Sequence, residues 1–251
     1  MLPKPGKKKS DPNNYRPITL SSCIGKLFEK SLKSRIENMI KRLKSENESQ
    51  AAYKKKRSCQ EHTLYLAHSV TQALNKRECV LAVMLDVRGA FDKLWSQGLI
   101  YKLHKWGLPT RLLRCVASFM SHRSLKVHEG AEKSREIRML AGTPQGSIIS
   151  PILFILFMDD VKEDLPEGVR IFQFTDDIAL SVTSPCPRAA EYKMQKGLEV
   201  IEKWTRKWRV ELEPTKSNFI IFSQKTENKL ETTWRRHRGK ERPEISWNKI
   251  Q

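Results

Sequence analysis

The chain is short of acid: 28 Asp and Glu stand against 47 Lys and Arg over 251 residues, for a formal net charge of +19 and a pI near 9.8. Solubility alone does not require so large an excess, and a polyanionic partner accounts for it better. Long apolar runs are also missing. The longest, residues 148–158, falls short of the roughly 20 residues that a bilayer-spanning helix needs, and no secretory leader is evident, so no membrane partner is expected. Cysteine is scarce and scattered: Cys23, Cys59, Cys79, Cys115 and Cys186 include no Cys-x-x-Cys pair, and the six histidines show no zinc spacing. This fits a reduced intracellular protein without structural zinc. Lysine runs do not decide between nucleus and cytoplasm, and the oligomeric state stays open. What the chain does have is 39% hydrophobic residues, enough for one or two packed units. Its charge is uneven, with 16 Lys and Arg against 5 Asp and Glu in residues 1–57.

Three aspartates organise the rest. Asp86 closes the Val/Leu-rich run Val80-Leu-Ala-Val-Met-Leu-Asp86, which reads as a buried strand ending on a carboxylate. Asp176 and Asp177 fall between Val169-Arg-Ile-Phe-Gln-Phe174 and Ile178-Ala-Leu-Ser-Val182, two strand-like runs with the acids where a hairpin would turn. If the two turns are neighbours, three carboxylates converge, a set of hard oxygen ligands suited to Mg²⁺ and to phosphoryl chemistry between two ions. Taken singly, each Asp is equally at home in an ordinary turn. A second Asp-Asp pair, Asp159-Asp160, ends an apolar run with no strand after it and reads as a helix terminus.

In chain order, prolines break residues 1–17 into a loop whose Lys4, Lys7, Lys8 and Lys9 are either solvated or in contact with phosphates. Helical spacing covers residues 21–43, and a second basic loop, Lys54-Lys55-Lys56-Arg57, leads into a helix over residues 59–74. A turn at 89–95 precedes helices over 97–106 and 110–121. Short strands are expected at 125–127 and 137–140. Gly142-Thr-Pro-Gln-Gly-Ser147 is a loop opening onto an apolar helix to residue 158, and its amides suit either a phosphate or plain helix initiation. A helix spans 188–208, a loop 210–217 and a strand 218–222, while residues 224–244 have little to bury and are expected to be poorly ordered.

This ordered set resembles the reverse transcriptase domain of non-LTR (LINE-type, jockey-like) retrotransposons over nearly the whole chain. Leu2-Pro-Lys-Pro-Gly-Lys7, Asn14-Tyr-Arg-Pro-Ile18 and Gly25-Lys-Leu-Phe-Glu29 look like the opening fingers motifs. Leu85-Asp-Val-Arg-Gly-Ala-Phe-Asp92 looks like the first catalytic motif. Ala141-Gly-Thr-Pro-Gln-Gly-Ser-Ile-Ile-Ser-Pro151 is similar to the nucleotide-pocket motif, Phe174-Thr-Asp-Asp177 to the Asp-Asp motif, and Glu213-Pro-Thr-Lys-Ser217 to the next palm motif.

The resemblance implies an α+β right-hand polymerase, with fingers over residues 1–78 and a palm over 79–223 whose antiparallel sheet is backed by helices, those of 97–121 being an insert. It further implies a polar tail over 224–251 in which Pro243-Glu-Ile-Ser-Trp-Asn-Lys-Ile250 resembles the first strand of the primer-grip hairpin, with no thumb, endonuclease or Cys/His region. Implied with it are two Mg²⁺ ions, with Mn²⁺ as the alternative, held by Asp86 and Asp176 with Asp177 in support and the Val87 carbonyl as a further ligand. The implied partners are an RNA template, a DNA primer and dNTPs. Phe91 would pack on the sugar and reject a 2′-hydroxyl, or is simply a core aromatic. Gln145 and Gly146 would lie along the nucleotide, Arg16 and Arg57 would reach the triphosphate, and Lys216 would protonate pyrophosphate or is a surface lysine. The lysines Lys4, Lys7, Lys8, Lys9, Lys54, Lys55 and Lys56 would contact nucleic acid. Thr175 stands where the family usually has Ala, Arg88-Gly89 replaces Ser-Lys, and Gln50-Ala-Ala-Tyr53 lacks the glycine of Gln-x-Gly-Phe, so that turn is expected to be strained. A non-catalytic relic that only binds nucleic acid is the alternative function. An RNA-copying RNA polymerase is a third, against which Phe91 argues.

Overall fold

The computed structural model describes residues 2, 3, 5, 6, 8, 10, 11, 14–16, 18–43, 48–53, 57–129 and 132–224. Lys4, Lys7, Lys9, Lys54, Lys55, Lys56, the 225–251 tail and its primer-grip-like strand lie outside the described residues, as does the side chain of Arg16.

In chain order the elements are β1 (Leu2–Pro3), β2 (Tyr15–Arg16), α1 (Cys23–Leu43), α2 (Cys59–Asn75) and β3 (Cys79–Asp86), followed by α3 (Ala90–Lys93), α4 (Ser96–Lys105) and α5 (Thr110–Met120). Then come β4 (Arg123–Leu125), β5 (His128–Glu129), β6 (Glu132–Lys133), β7 (Ile137–Met139), α6 (Ser150–Met158), β8 (Val169–Phe174), β9 (Asp177–Ser184), α7 (Pro187–Trp208) and β10 (Asn218–Phe222). They divide into two compact units, each built from two stretches of chain: residues 1–46 with 89–157, and 47–88 with 158–251. The sequential boundary expected at residue 79 therefore falls inside the second unit.

The second unit is built on a four-stranded antiparallel sheet in the order β10-β3-β9-β8. Every residue of β3 is buried except Met84 and the half-buried Asp86, as a Val/Leu-rich central strand dictates. Helices α2 and α7 pack on this sheet. In α7, Ala190, Met194, Leu198, Ile201, Trp204 and Trp208 recur at helical spacing and are all buried, so one stripe of an otherwise charged helix drives its docking. Pro187 opens the helix, where its missing N–H costs nothing.

The first unit is mostly helical. Leu32 and Ile36 of α1, Leu99 and Leu103 of α4, Val116 and Met120 of α5, and Leu153, Phe154 and Phe157 of α6 are all buried. Lys102 is buried as well: its ammonium donates to the Phe157 carbonyl at 2.5 Å and lies 4.6 Å from the centre of the Phe157 ring. The hairpin after α5 differs from expectation. β4 starts two residues before the expected strand and pairs with β7 in the register Arg123↔Met139, and the connecting residues add the small β5–β6 pair. Short polar strands carry too little periodicity to fix their own ends. The 89–95 turn contains the one-turn helix α3, and the 210–217 loop contains a 3-10 turn at Pro214–Lys216. Asp159 and Asp160 follow α6 in a 3-10 turn, Asp159–Lys162, as a helix terminus requires.

Candidate active site

Strand register within the second unit sets Asp86 opposite Asp177, with Asp176 in the adjoining turn. Asp86 at the end of β3 pairs directly with Asp177 at the start of β9, and residues opposite each other in an antiparallel ladder point to the same face. Asp177 is thus the first strand residue and not a turn residue. Phe174 pairs with Asp177, so Thr175 and Asp176 are the two central residues of a tight hairpin. Thr175 takes φ = 59°, a left-handed value unusual for a β-branched residue, and its side chain is buried.

Charge crowding is visible in the acids. Burial pushes the Asp176 carboxyl above the usual range, and the Asp86 charge adds to this against the opposing pull of Lys216. Asp177 is raised by loss of solvent around the turn, then by the charges of Asp176 and Asp86, again offset by Lys216. Lys216, on the 3-10 turn before β10, donates from its ammonium to Asp86 Oδ2 at 3.0 Å. The backbone of Asp86 accepts from the Glu213 amide at 2.8 Å and that of Arg88 donates to Glu211 at 2.8 Å, around a bridge between Val87 and Leu212. Those bonds leave the Val87 carbonyl out of the bridge. Arg88 also lies 3.5 Å from the Glu213 carboxylate at the surface.

This donor set suits a hard divalent cation, whose charge would offset the burial and the mutual repulsion that raise Asp176 and Asp177. Among the described residues, no group of three or more His, Cys, Asp or Glu side chains is gathered tightly enough to hold an ion as it stands. The positive charge at Asp86 is supplied by Lys216. Arg57, also in this unit, is held by Glu61 one turn along α2 at 2.6 Å.

In the first unit the Gly142–Ser147 loop is fixed from several sides. The Thr143 amide donates to the Phe91 carbonyl at 2.6 Å and the Gly142 amide to that of Leu94 at 2.8 Å. Gly142, at φ = 82°, is tight enough that a Cβ would stand 2.5 Å from the Asp92 carbonyl. The Gln145 side-chain Nε2 donates to Asp92 Oδ1 at 2.8 Å, and Gly146 is exposed at φ = 103°. Phe91 is half-buried, its ring 5.0 Å from that of Phe154. Lys8 is exposed.

Three residues here had no role assigned from sequence. Glu29 of α1 is buried, and its Oε2 accepts from the Ser147 hydroxyl at 2.7 Å and the Ile148 amide at 2.6 Å. The Arg123 guanidinium donates to the carbonyls of Met120, Ala141 and Gly142, and burial lowers its pKa. Gln50, in the second unit, accepts from the Thr175 amide. Glu29 and Gln50 lie inside the family-like stretches Gly25–Glu29 and Gln50–Tyr53, which is their sequence signal; Arg123 carries none.

A family model described as "Reverse transcriptase (RNA-dependent DNA polymerase)" matches residues 3–243. The chain belongs to the reverse transcriptase family. Among curated relatives it is 30% identical over 233 residues to the probable RNA-directed DNA polymerase from transposon BS of Drosophila melanogaster, covering 90% of this chain and 26% of that protein. The RNA-directed DNA polymerase from mobile element jockey of the same fly is 28% identical, with 90% and 25% covered. The chain thus spans about a quarter of the length of these relatives. Among solved structures, apo telomerase from Candida tropicalis truncated from its C-terminal domain superposes with a TM-score of 0.57 at 13% identity, covering 80% of this chain and 41% of that one. That likeness establishes the reverse transcriptase/telomerase-like fold of mixed helices and antiparallel sheet.

Proposed function

We propose that this reverse transcriptase domain is an RNA-directed DNA polymerase that joins dNTPs to a primer 3′-hydroxyl on an RNA template. The observation that carries the reading is the register pairing of Asp86 with Asp177 beside the Asp176 turn. Asp86 and Asp176 would hold two Mg²⁺ ions, or Mn²⁺ in their place, with Asp177 in support and the Val87 carbonyl as a further ligand. Bound there, such ions would supply a lowered pKa for the attacking hydroxyl and charge neutralisation for the departing pyrophosphate. Lys216 must leave Asp86 for this to happen, which frees its ammonium to donate a proton to the leaving group.

In the other unit, Phe91 packs on the sugar, while Gln145 and Gly146 lie along the nucleotide. Gln145 is already oriented by Asp92. Arg16 reaches the triphosphate, and Arg57 does so on releasing Glu61. The N-terminal lysines and the 54–56 run contact nucleic-acid phosphates. On this reading the sheet of the second unit is the palm.

Primer extension on an RNA template decides it. The wild-type chain extends in Mg²⁺, and Asp176→Asn loses at least about a hundredfold in rate, the scale of a missing metal ligand. Equal incorporation by both proteins would rule out the site. RNA binding without extension, unchanged by Mg²⁺ and by loss of all three aspartates, would leave a non-catalytic nucleic-acid binder.

A further inference from the structure

The turn that carries Asp176 is not held by its own hairpin alone. Residues 49–51 run along the open edge of β8: the Gln173 amide donates to the Ser49 carbonyl at 2.7 Å, and the Ala51 amide donates to the Gln173 carbonyl at 3.1 Å. This bridged segment aims the Gln50 side chain at the hairpin tip. Its Oε1 accepts from the Thr175 amide at 3.2 Å and from the Ala52 amide at 3.0 Å. The geometry points to Gln50 as a positioning residue for the catalytic turn: its side-chain carbonyl takes the Thr175 amide hydrogen, holds that residue in its left-handed conformation, and so sets the direction in which Asp176 leaves β8.

Three observations separate this from ordinary core packing. Gln50 is 1% exposed, yet its Nε2 is buried with no hydrogen-bond partner among the described residues. An apolar side chain of the same size would avoid that desolvation, so the side chain is kept for the oxygen and not for filling space. The amide it receives is buried in a turn whose φ of 59° a threonine does not adopt unaided. Next in sequence stands Asp176, which the proposed function makes a metal ligand, and groups that orient such a ligand typically change metal affinity when removed. The inference rests on that reading for its consequence, but not for the bond itself.

The test uses the full chain without nucleic acid or nucleotide, comparing wild type, Gln50→Met and Gln173→Met. Gln173 is equally buried and its Nε2 donates to the Met158 carbonyl at 3.4 Å, so its variant removes a neighbouring buried amide without touching Thr175. Amide exchange followed by NMR should show Thr175 protected in the wild type. In Gln50→Met it should exchange at least about tenfold faster relative to Ala179 in β9, with no such change in Gln173→Met. Mn²⁺ alone, titrated by EPR, should bind Gln50→Met roughly 10–100-fold more weakly than wild type, the range for groups that orient metal ligands. An unprotected Thr175 amide in the wild type overturns the inference whether or not the variants fold, and so do equal effects of the two substitutions. A wild type that binds no Mn²⁺ overturns the metal site of the proposed function, and the Thr175 exchange rates still judge Gln50.

Discussion

Thr175 and Asp176 show one residue-scale conflict in two forms. At φ = 59° a β-branched side chain is strained by about 1–3 kcal/mol, whereas asparagine visits that region readily. Thr175→Asn should therefore stabilise the fold by up to about 1 kcal/mol, read as a higher urea midpoint at unchanged slope; a lower midpoint would show that the buried threonine side chain outweighs the strain. Asp176 carries the electrostatic form. Its carboxyl is raised in the folded state, so its contribution to stability is present at low pH and lost as pH rises through the raised value. At neutral pH the charge is a net cost. Asp176→Asn should raise the melting temperature in EDTA at pH 7, with the gain shrinking at pH 4 or on adding Mg²⁺ to both proteins. A gain independent of both would mean that the buried carboxylate charge is not its cause.

The helix-opening loop makes the argument for elements. Its start is gripped by Arg123 through the Ala141 and Gly142 carbonyls, and its end by Glu29 through the Ser147 hydroxyl and Ile148 amide, so a cation and an anion hold opposite ends of one turn. Glu29→Leu leaves both donors without their acceptor and should cost roughly 2–4 kcal/mol, and Glu29→Gln about half of that; denaturant unfolding of the two variants checks the order. Gly142→Ala, with a Cβ 2.5 Å from the Asp92 carbonyl, should cost more than Gly146→Ala, whose Cβ would meet the Thr19 carbonyl at 3.1 Å.

The loop also shows what could be read from sequence. Gly and Pro followed by an apolar run announce a loop and a helix, and the Val/Leu-rich run ending on Asp86 announces β3, because local rules suffice there. The anchors did not announce themselves. Glu29 and Lys102 sit in charged amphipathic helices where solvent is the default reading, and only tertiary packing buries them. The strain expected in Gln50-Ala-Ala-Tyr53 is present but displaced: the left-handed residue is Tyr53, at φ = 56°, one position after the place of the missing glycine.

For the whole molecule the decisive quantity is the net charge of +19. Hydrogen bonds and metal ligands fix where chemistry happens, but a surplus of this size sets how strongly any nucleic acid is held, and that attraction works by releasing counterions. The two contributions respond to different variables, which lets them be separated. RNA affinity should fall by about a hundredfold or more between 50 and 200 mM salt, and Asp86→Asn/Asp176→Asn/Asp177→Asn should leave that slope unchanged while abolishing extension. Replacing Lys4, Lys7, Lys8, Lys9, Lys54, Lys55 and Lys56 by alanine should flatten the log–log slope by about 0.7 for each lysine that touches a phosphate. A slope that stays put after all seven replacements would move the phosphate contacts to the remaining basic residues, leaving these seven lysines without a part in binding.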